Sequence, residues 1–570
     1  MSKFTEQLNK YASDLTLGEW NVTEDGVYLE SEKSGRTYAS HIAVVPTALY
    51  ENMDTHAEKV ELTYYKKNRW KSVIVDRAII ASPNSIVKLA TDGIEVTSIN
   101  ARTLIQYLSE VITRSLDTIQ YKPSRSVLGW VEDDFVPYTG DITFDGEDTF
   151  KYLFRAVAKR GTLSEWVDYI RPLRQNKAMR LAMAASFASP LIELIGENPF
   201  VLHLWGGTGT AKTVSLMVAM SIWGDPTGGK LTRTMNMTAN SMLSTAAFLN
   251  NLPFAGDELQ TIKNRWDNYD NLIMCITEGI DRGRMTFDKV NEIRTWKCAF
   301  IFTGEEPCIK AASGGGAKNR VIEVHVKNRI LKNGNAVVNF VRHNYGAAAL
   351  PYLSEVKRTD TQQIYNDIFA EIISDYDTTD KQAGSMALML TADRIASNLF
   401  WKDEKSLTVS DVREYMFTAS EVDIAERAYA FIKDCIAENV NNFSRESRSV
   451  WGIIEDGAAY MNKSVLCRVL NAEGFDFAAV KSAWCERGYI EKNNQGNLRH
   501  RKSFSGAYTD CIKIPLTDDS DVSELLGEPV REDETLPFNE PQPTETEQTE
   551  APRPKQTPKR KPEPLPWEVE

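Results

Sequence analysis

Residues 201–216 read VLHLWGGTGTAKTVSL, and their interpretation decides the fold. The run FVLHLW is apolar, short and followed by glycines, the signature of a buried strand. GGTGTAKT then supplies Gly206, Gly207, Thr208, Gly209, Thr210 and Ala211, a flexible loop whose backbone N–H groups can cradle phosphates. Lys212 is spaced to reach the β- and γ-phosphates of ATP, and the Thr213 hydroxyl to hold Mg2+. VSLMVAMSIWG follows as a helix whose positive N-terminus faces the same anion. The common pattern is G-x-x-x-x-G-K-[ST], yet Ala211 stands where the second glycine belongs.

The 570-residue chain is long enough for several domains and a large core. With 42% hydrophobic and 25% charged residues, its composition is that of a globular protein. The most apolar helical stretch, LAMAASFASPLIELIG, contains Pro190 and Glu193, so no membrane span is expected, and the first residues lack a signal-peptide core. Seven scattered cysteines without a C-x-x-C pair argue against a disulfide framework or cysteine zinc site, pointing to a reducing cytoplasm. Residues 517–570 hold 15 acidic and 6 basic side chains, −9 of the net −13, leaving only −4 on the rest. An acidic tail on a nearly balanced body does not exclude nucleic-acid binding, which depends on where cations cluster.

Patterning divides the chain further. Residues 1–120 alternate apolar and polar in WNVTEDGVYLES and VELTYYKKNRWKSVIV, predicting a β-rich domain that ends in a helix from Ala101 to Leu116. Residues 121–195 read as a helical linker region. Strand and helix alternate through 196–330, an α/β nucleotide-binding core. Residues 331–445 are predominantly helical, and 446–515 are expected to form helices followed by a hairpin. Residues 516–570, rich in Pro, Glu and Thr, predict a disordered tail.

Three further motifs follow the loop in order. NLPFAGDELQ offers Asp257 for Mg2+ and Glu258 to orient or deprotonate the attacking water, on a strand interrupted by Pro253 and Gly256. WKCAFIFTGEEP is an apolar strand ending in Thr303, whose hydroxyl can lie beside the γ-phosphate. SGGGAKNRVIEV places Arg320 just before a strand, where it can reach a neighbouring subunit's γ-phosphate. A solvated acidic pair, a capped strand end and a surface arginine are the bland readings, but the ordered set outweighs each.

These residues, with LGWVEDDFVP, GTLSEWVDYI, SFASPLI and SIWGDP, resemble the domain-of-unknown-function 927 family over roughly residues 50–515. Members of that family occur in phages, plasmids and genomic islands. The core also resembles the minichromosome-maintenance helicases, whose loop reads G-x-x-G-x-A-K-[ST]; Gly206, Gly209, Ala211, Lys212 and Thr213 match it. This resemblance makes Ala211 a recognised variant. CITEGIDRGRMTFDKVNEIRTWKCAFIFTG is similar to that family's helix, β-hairpin and sensor strand, which implies a DNA contact at Lys289. DKQAGSMALMLTADRIASNLFWKDEKSLTVSDV resembles the helical lid, with Lys381 near a second-sensor position. Two departures are Thr303 for the usual asparagine and Lys381 for the usual arginine. The implied fold is an AAA+-type P-loop NTPase core with a β-rich N-terminal domain, a helical lid, a C-terminal winged helix and an acidic tail.

Arg282, Arg284, Lys289 and Arg294 cluster before the sensor strand, suited to tracking phosphates with little sequence preference. MNKSVLCRVLNAEGFDFAAVKSAWCERGYIEKNNQGNLRHRKSF resembles a winged helix, and Lys492, Arg499, His500, Arg501 and Lys502 are its wing candidates. A protein-docking role for this module stays open. TLPFNE and PLPWEVE in the tail could recruit replication proteins, or the tail simply solvates the chain. The expectation is an ATP-dependent, homo-hexameric DNA helicase of phage or mobile-element replication. A DNA-remodelling or defence motor without unwinding and an ATP-assembled DNA-binding scaffold are the alternatives. No metal site is expected from the histidines and cysteines.

Overall fold

The apolar run after Asn198 forms β1 (Val201–Trp205), and Lys212–Met220 forms the helix α1 behind it. β2 (Thr232–Thr234), β3 (Phe254–Asp257), β4 (Phe300–Gly304) and β5 (Val321–His325) complete a wholly parallel sheet in the order β2-β3-β4-β1-β5. The molecule is a computed structural model. It describes residues 3–516 apart from 34, 263–268, 282–284, 287–288, 291–292, 311–312, 403–404, 445–448 and 505–506. β1 and β4 are buried along nearly their whole length, as central strands of a parallel sheet must be. Gly256 inside β3 is required by packing, since a Cβ there would lie 2.3 Å from Met235 Sδ and 2.8 Å from Phe302.

Helices cover this sheet. The long apolar run before the loop is two helices, Lys177–Ala188 and Leu191–Ile195. Pro190 cannot continue the first, and Gly196 closes the second in the left-handed conformation at φ 81°. Lys177–Ala188 packs against α1 and against Asp380–Phe400 of the helical region. Arg174 and Asp393 form a buried ion pair there, and Arg180 joins it through Asp393 Oδ2 at 2.7 Å.

The N-terminal sheet extends beyond the expected boundary at residue 120. Gln120–Arg125 pairs in parallel with Val44–Asn52, and Thr143–Phe144 pairs with Gln120–Arg125 in turn. QYKPSR is polar and holds a proline, so neither alternation nor β-propensity marks it as a strand; its partner supplies the reason to extend. The segment expected to be a helical linker therefore begins with strands and becomes helical from Asp148.

The C-terminal module also differs from expectation. A hairpin, Gly452–Glu455 with Ala458–Asn462, precedes its helices Lys463–Ala472 and Phe477–Glu486. Its sheet closes with His500–Phe504 and Ala507–Pro515. Ile424–Glu438, assigned by sequence to the helical region, packs on this module: Trp484 Nε1 donates to Ala425 O at 2.8 Å, and Arg487 pairs with Asp423 and Glu426. Among the described residues no helix is long and apolar enough to cross a membrane. The tail expected from 516 onward lies outside the described residues after Leu516.

Candidate functional site

Parallel register assembles the cleft. Leu204 lies beside Thr303, and Gly256 beside Phe302, so Thr303 stands between the end of β1 and the carboxylate that follows Gly256. Thr213 Oγ1, in the first turn of α1, lies 3.0 and 3.1 Å from the two oxygens of Asp257. The Thr303 hydroxyl donates to the same carboxylate from a side chain only 1% exposed. Thr208–Thr213, Asp257, Glu258, Gln260, Thr303, Gly304 and Glu305 line one cleft of about 220 Å³.

Lys212 is 9% exposed, and its ammonium is held by Gly206 O at 2.7 Å, Gly207 O at 2.8 Å and Thr210 Oγ1 at 3.1 Å. Burial lowers its pKa from the ordinary lysine value, while Glu305 and Asp257 act in the opposite direction. Gly206 turns at φ 150°, and a Cβ there would meet Val326 O at 2.5 Å, so no larger residue fits.

Ala211 caps α1 in the left-handed conformation, φ 71° and ψ 27°. The loop thus keeps the backbone shape a glycine would adopt freely, at a cost of about 1 kcal/mol for the Cβ. Ala211→Gly is expected to raise unfolding free energy slightly, or to leave it level once glycine's unfolded-state entropy is counted, with ATP turnover kept. Thermal unfolding alongside a turnover assay checks this; a large loss of turnover would mean that the methyl group itself contacts nucleotide.

Glu258 is exposed and also left-handed, at φ 61°, with its carbonyl accepting from Thr261 N at 3.0 Å. Non-glycine residues held there concentrate at functional sites. Two cleft residues escaped sequence reasoning. Glu305 Oε1 accepts from the Thr208 hydroxyl at 2.7 Å, tying the loop after β1 to the segment after β4. Gln260 Oε1 is buried without a hydrogen-bond partner among the described residues. Neither stands at a spacing that marks it, although GEEP directly after a buried strand would have drawn attention to Glu305.

Arg320 is not in the cleft. It precedes β5, whose Val321 aligns with Val201, so it lies at the opposite end of the sheet, roughly 16 Å from the loop by strand length. Its guanidinium pairs with Glu278 at 2.8 Å and donates to Gly316 O at 3.0 Å. Lys381 does not line the cleft either. It is exposed in the first turn of Asp380–Phe400, and the adjacent Gln382 donates to Lys318 O and Val321 O, next to Arg320.

Between the helix Tyr269–Thr277 and β4 runs a hairpin. Ile280 bridges Thr295, and Met285–Thr286 pairs with Lys289–Val290. Lys289 lies on the second of these strands, opposite Thr286. Arg282 and Arg284 lie outside the described residues. Arg294, expected on DNA, instead has its guanidinium occupied by Asp281, Asn240 and Ser244, anchoring the stem to the helix Ala239–Leu249. In the C-terminal module, Lys492, Arg499 and Arg501 are exposed. Arg499 and Arg501 share Asp510, at 2.5 and 3.8 Å, and Lys502 pairs with Glu455 at 2.6 Å. That wing is less cationic than its sequence suggests.

His203, Cys308 and Glu323 place ligand-type atoms within 4.8 Å of one another beneath β1, a cluster no sequence spacing foretold. Glu323 Oε1 takes hydrogen bonds from His203 Nδ1 at 3.1 Å and Cys308 N at 2.8 Å, bracing the segment after β4, while His203 Nε2 is buried without a hydrogen-bond partner among the described residues.

The DUF927 model, a domain of unknown function, matches residues 20–297, and the Cch helix turn helix domain matches residues 423–519. No curated protein matches the sequence. A solved structure described as "SCCmec type IV Cch - active helicase" aligns with a TM-score of 0.67 at 18% identity, covering 90% of this chain and 99% of that one. The likeness is one of fold, and the start of the helix turn helix match at 423 agrees with the packing of Ile424–Glu438 on the C-terminal module. Residues 20–297 are thus similar to the DUF927 domain, and residues 423–519 to the Cch helix turn helix domain.

Proposed function

We propose that this protein is an AAA+-type ATPase that works as a ring-shaped DNA helicase of phage or mobile-element DNA. The observation that carries the reading is the hydrogen-bonded set of Thr213, Asp257 and Thr303 in one cleft with Lys212 and Glu258. The sheet order supports the AAA+ assignment, because β4 with its polar tip lies between the loop strand and the carboxylate strand. The fold likeness to a protein described as an active helicase, and the helix turn helix domain, support action on DNA.

ATP would enter with its phosphates on the α1 N-terminus, and Lys212 would exchange the loop carbonyls for phosphate oxygens. The hydroxyl of Thr213 and the carboxylate of Asp257 are hard oxygen donors 3.0 Å apart and fit Mg2+. That ion neutralises charge on the β- and γ-phosphates when bound. Glu258 would orient a water for in-line attack and take its proton as the bond to the β-phosphate oxygen breaks. Thr303 fixes the Asp257 carboxylate from below.

Arg320 and Lys381 stand at the far end of the sheet from their own cleft, which supports a site completed by the next subunit and hence a ring, expected to be a hexamer. Lys289 on the hairpin before β4 would then face DNA, and each turnover would shift it through the helix and strand that flank it.

ATP hydrolysis with and without single-stranded DNA, on wild type and Lys212→Ala, tests the reading. DNA-stimulated turnover is expected in the wild type, with a fall on the order of 10²–10³-fold in the variant, the usual loss for one preorganised cation or donor. Equal turnover in the two proteins would refute the phosphate-loop assignment. Turnover that depends on Lys212 but ignores DNA would leave an ATPase and remove the helicase.

A further inference from the structure

The N-terminal sheet ends in a hairpin that nothing in the ATPase cleft explains. Glu58–Lys66 and Arg69–Asp76 are joined by the two-residue turn Lys67-Asn68, both left-handed at φ 52° and 58°. Such turns favour Asn and Gly. Lysine at the first position costs about 1 kcal/mol or more, so a cation is kept where backbone energetics would choose another residue.

Register separates the two faces of the tip. Tyr65 opposes Trp70; both pack with Phe4 of the helix Lys3–Ala12, and Trp70 also packs with its Tyr11. Lys66 opposes Arg69, and Tyr64 opposes Lys71, so alternation puts Lys66, Arg69 and Lys71 together on the other face. Further down, this face buries Val60, Leu62 and Val75 in the domain core, and it becomes cationic where the hairpin passes beyond that core.

Like charges directly opposite each other destabilise a ladder. Lys66 and Arg69 accept that cost without a carboxylate, for among the described residues no acidic side chain ion-pairs with Lys66, Lys67, Arg69 or Lys71. Asp92, beside Tyr64, leaves them unpaired; Lys66 Nζ instead donates to Gly93 O at 2.8 Å. All four cations are exposed.

We infer that the tip of this hairpin, Lys66–Lys71, is a second nucleic-acid contact that grips the phosphate backbone of a DNA strand through Lys66, Lys67, Arg69 and Lys71. Four clustered, uncompensated cations complement a row of phosphates and carry no means of reading bases. The choice of DNA as the polymer rests on the function proposed above; the polyanion contact rests on the hairpin alone.

The competing explanation is edge protection, since Arg69–Asp76 is the outer strand of its sheet and lysines there discourage strand pairing between molecules. A full-length variant with Lys66, Lys67, Arg69 and Lys71 all changed to Ala separates the two. Binding of a labelled single-stranded oligonucleotide without ATP is read across a salt series, beside light scattering and ATP turnover in the absence of DNA. The expected result is affinity lower by on the order of tenfold, with the slope of log affinity against log salt shallower by up to about 3, at about 0.7 per phosphate released. Turnover without DNA stays unchanged, and a variant with arginine at all three lysines binds like wild type.

Unchanged affinity and slope would overturn the inference, and unchanged affinity with new self-association would assign the cations to edge protection. Wild type that hydrolyses ATP but binds no oligonucleotide would overturn the inference and the helicase reading together. Wild-type binding that persists in Lys212→Ala and falls in the hairpin variant would uphold the hairpin even if the motor reading failed.

Discussion

Arg320→Ala is expected to reduce ATP turnover by on the order of 10³-fold or more, the usual contribution of an arginine supplied in trans to phosphoryl transfer. The residue lies a full strand length from its own chain's loop, so no effect of this size can come from contact within one subunit. Its resting partner is Glu278, one residue beyond the helix that leads into the Lys289 hairpin. To reach a neighbour's γ-phosphate the guanidinium would have to leave Glu278, and in the proposed ring that exchange would link nucleotide state in one subunit to the hairpin of the next. Mixing Arg320→Ala with Lys212→Ala subunits is the sharper measurement. Each variant should be inactive alone, yet in the proposed ring a mixture would contain interfaces with an intact loop on one side and an intact arginine on the other, so partial turnover should return. Failure of the mixture to regain turnover, with both proteins still assembling, would remove Arg320 from the neighbour's site.

Glu258→Gln should lower turnover by roughly 10²–10⁴-fold while leaving ATP binding near wild type, because the amide keeps the shape but cannot accept the proton. Thr213 and Asp257, which carry the proposed Mg2+ site, are untouched by this change. Nucleotide-binding titration and steady-state hydrolysis measured together check the split. Loss of binding equal to the loss of turnover would show that Glu258 holds nucleotide or the loop rather than water. Its left-handed backbone makes the first turn after β3 costly to maintain.

The order of the first three motifs in the sequence anticipated which side chains share the cleft, because strand ends in a parallel sheet are fixed by short local signals, whereas Arg320 of the fourth lies at the opposite end of the sheet. GGTGTAKT, GDE and FTG each sit at the C-terminal end of an apolar run, and a parallel sheet gathers those ends. Register within the sheet was not legible, so neither the shared hydrogen bonds on Asp257 nor the clefts's Glu305 and Gln260 could be foreseen. Charge alone misled at Arg294, where Asp281, Asn240 and Ser244 are distant in sequence and absorb the guanidinium. Strands made by their partners, as at Gln120–Arg125, carry no pattern of their own. The cations of Lys66–Lys71 were visible in the sequence, but their common face depended on the turn position and its pairing.

The most direct measurement of the central claim is strand separation on a forked DNA with ATP, comparing wild type with Glu258→Gln. Displacement of the labelled strand by the wild type and none by the variant is the predicted result. ATP hydrolysis stimulated by the fork, with both strands still paired, would contradict the helicase and leave a motor that moves on or remodels DNA without opening it.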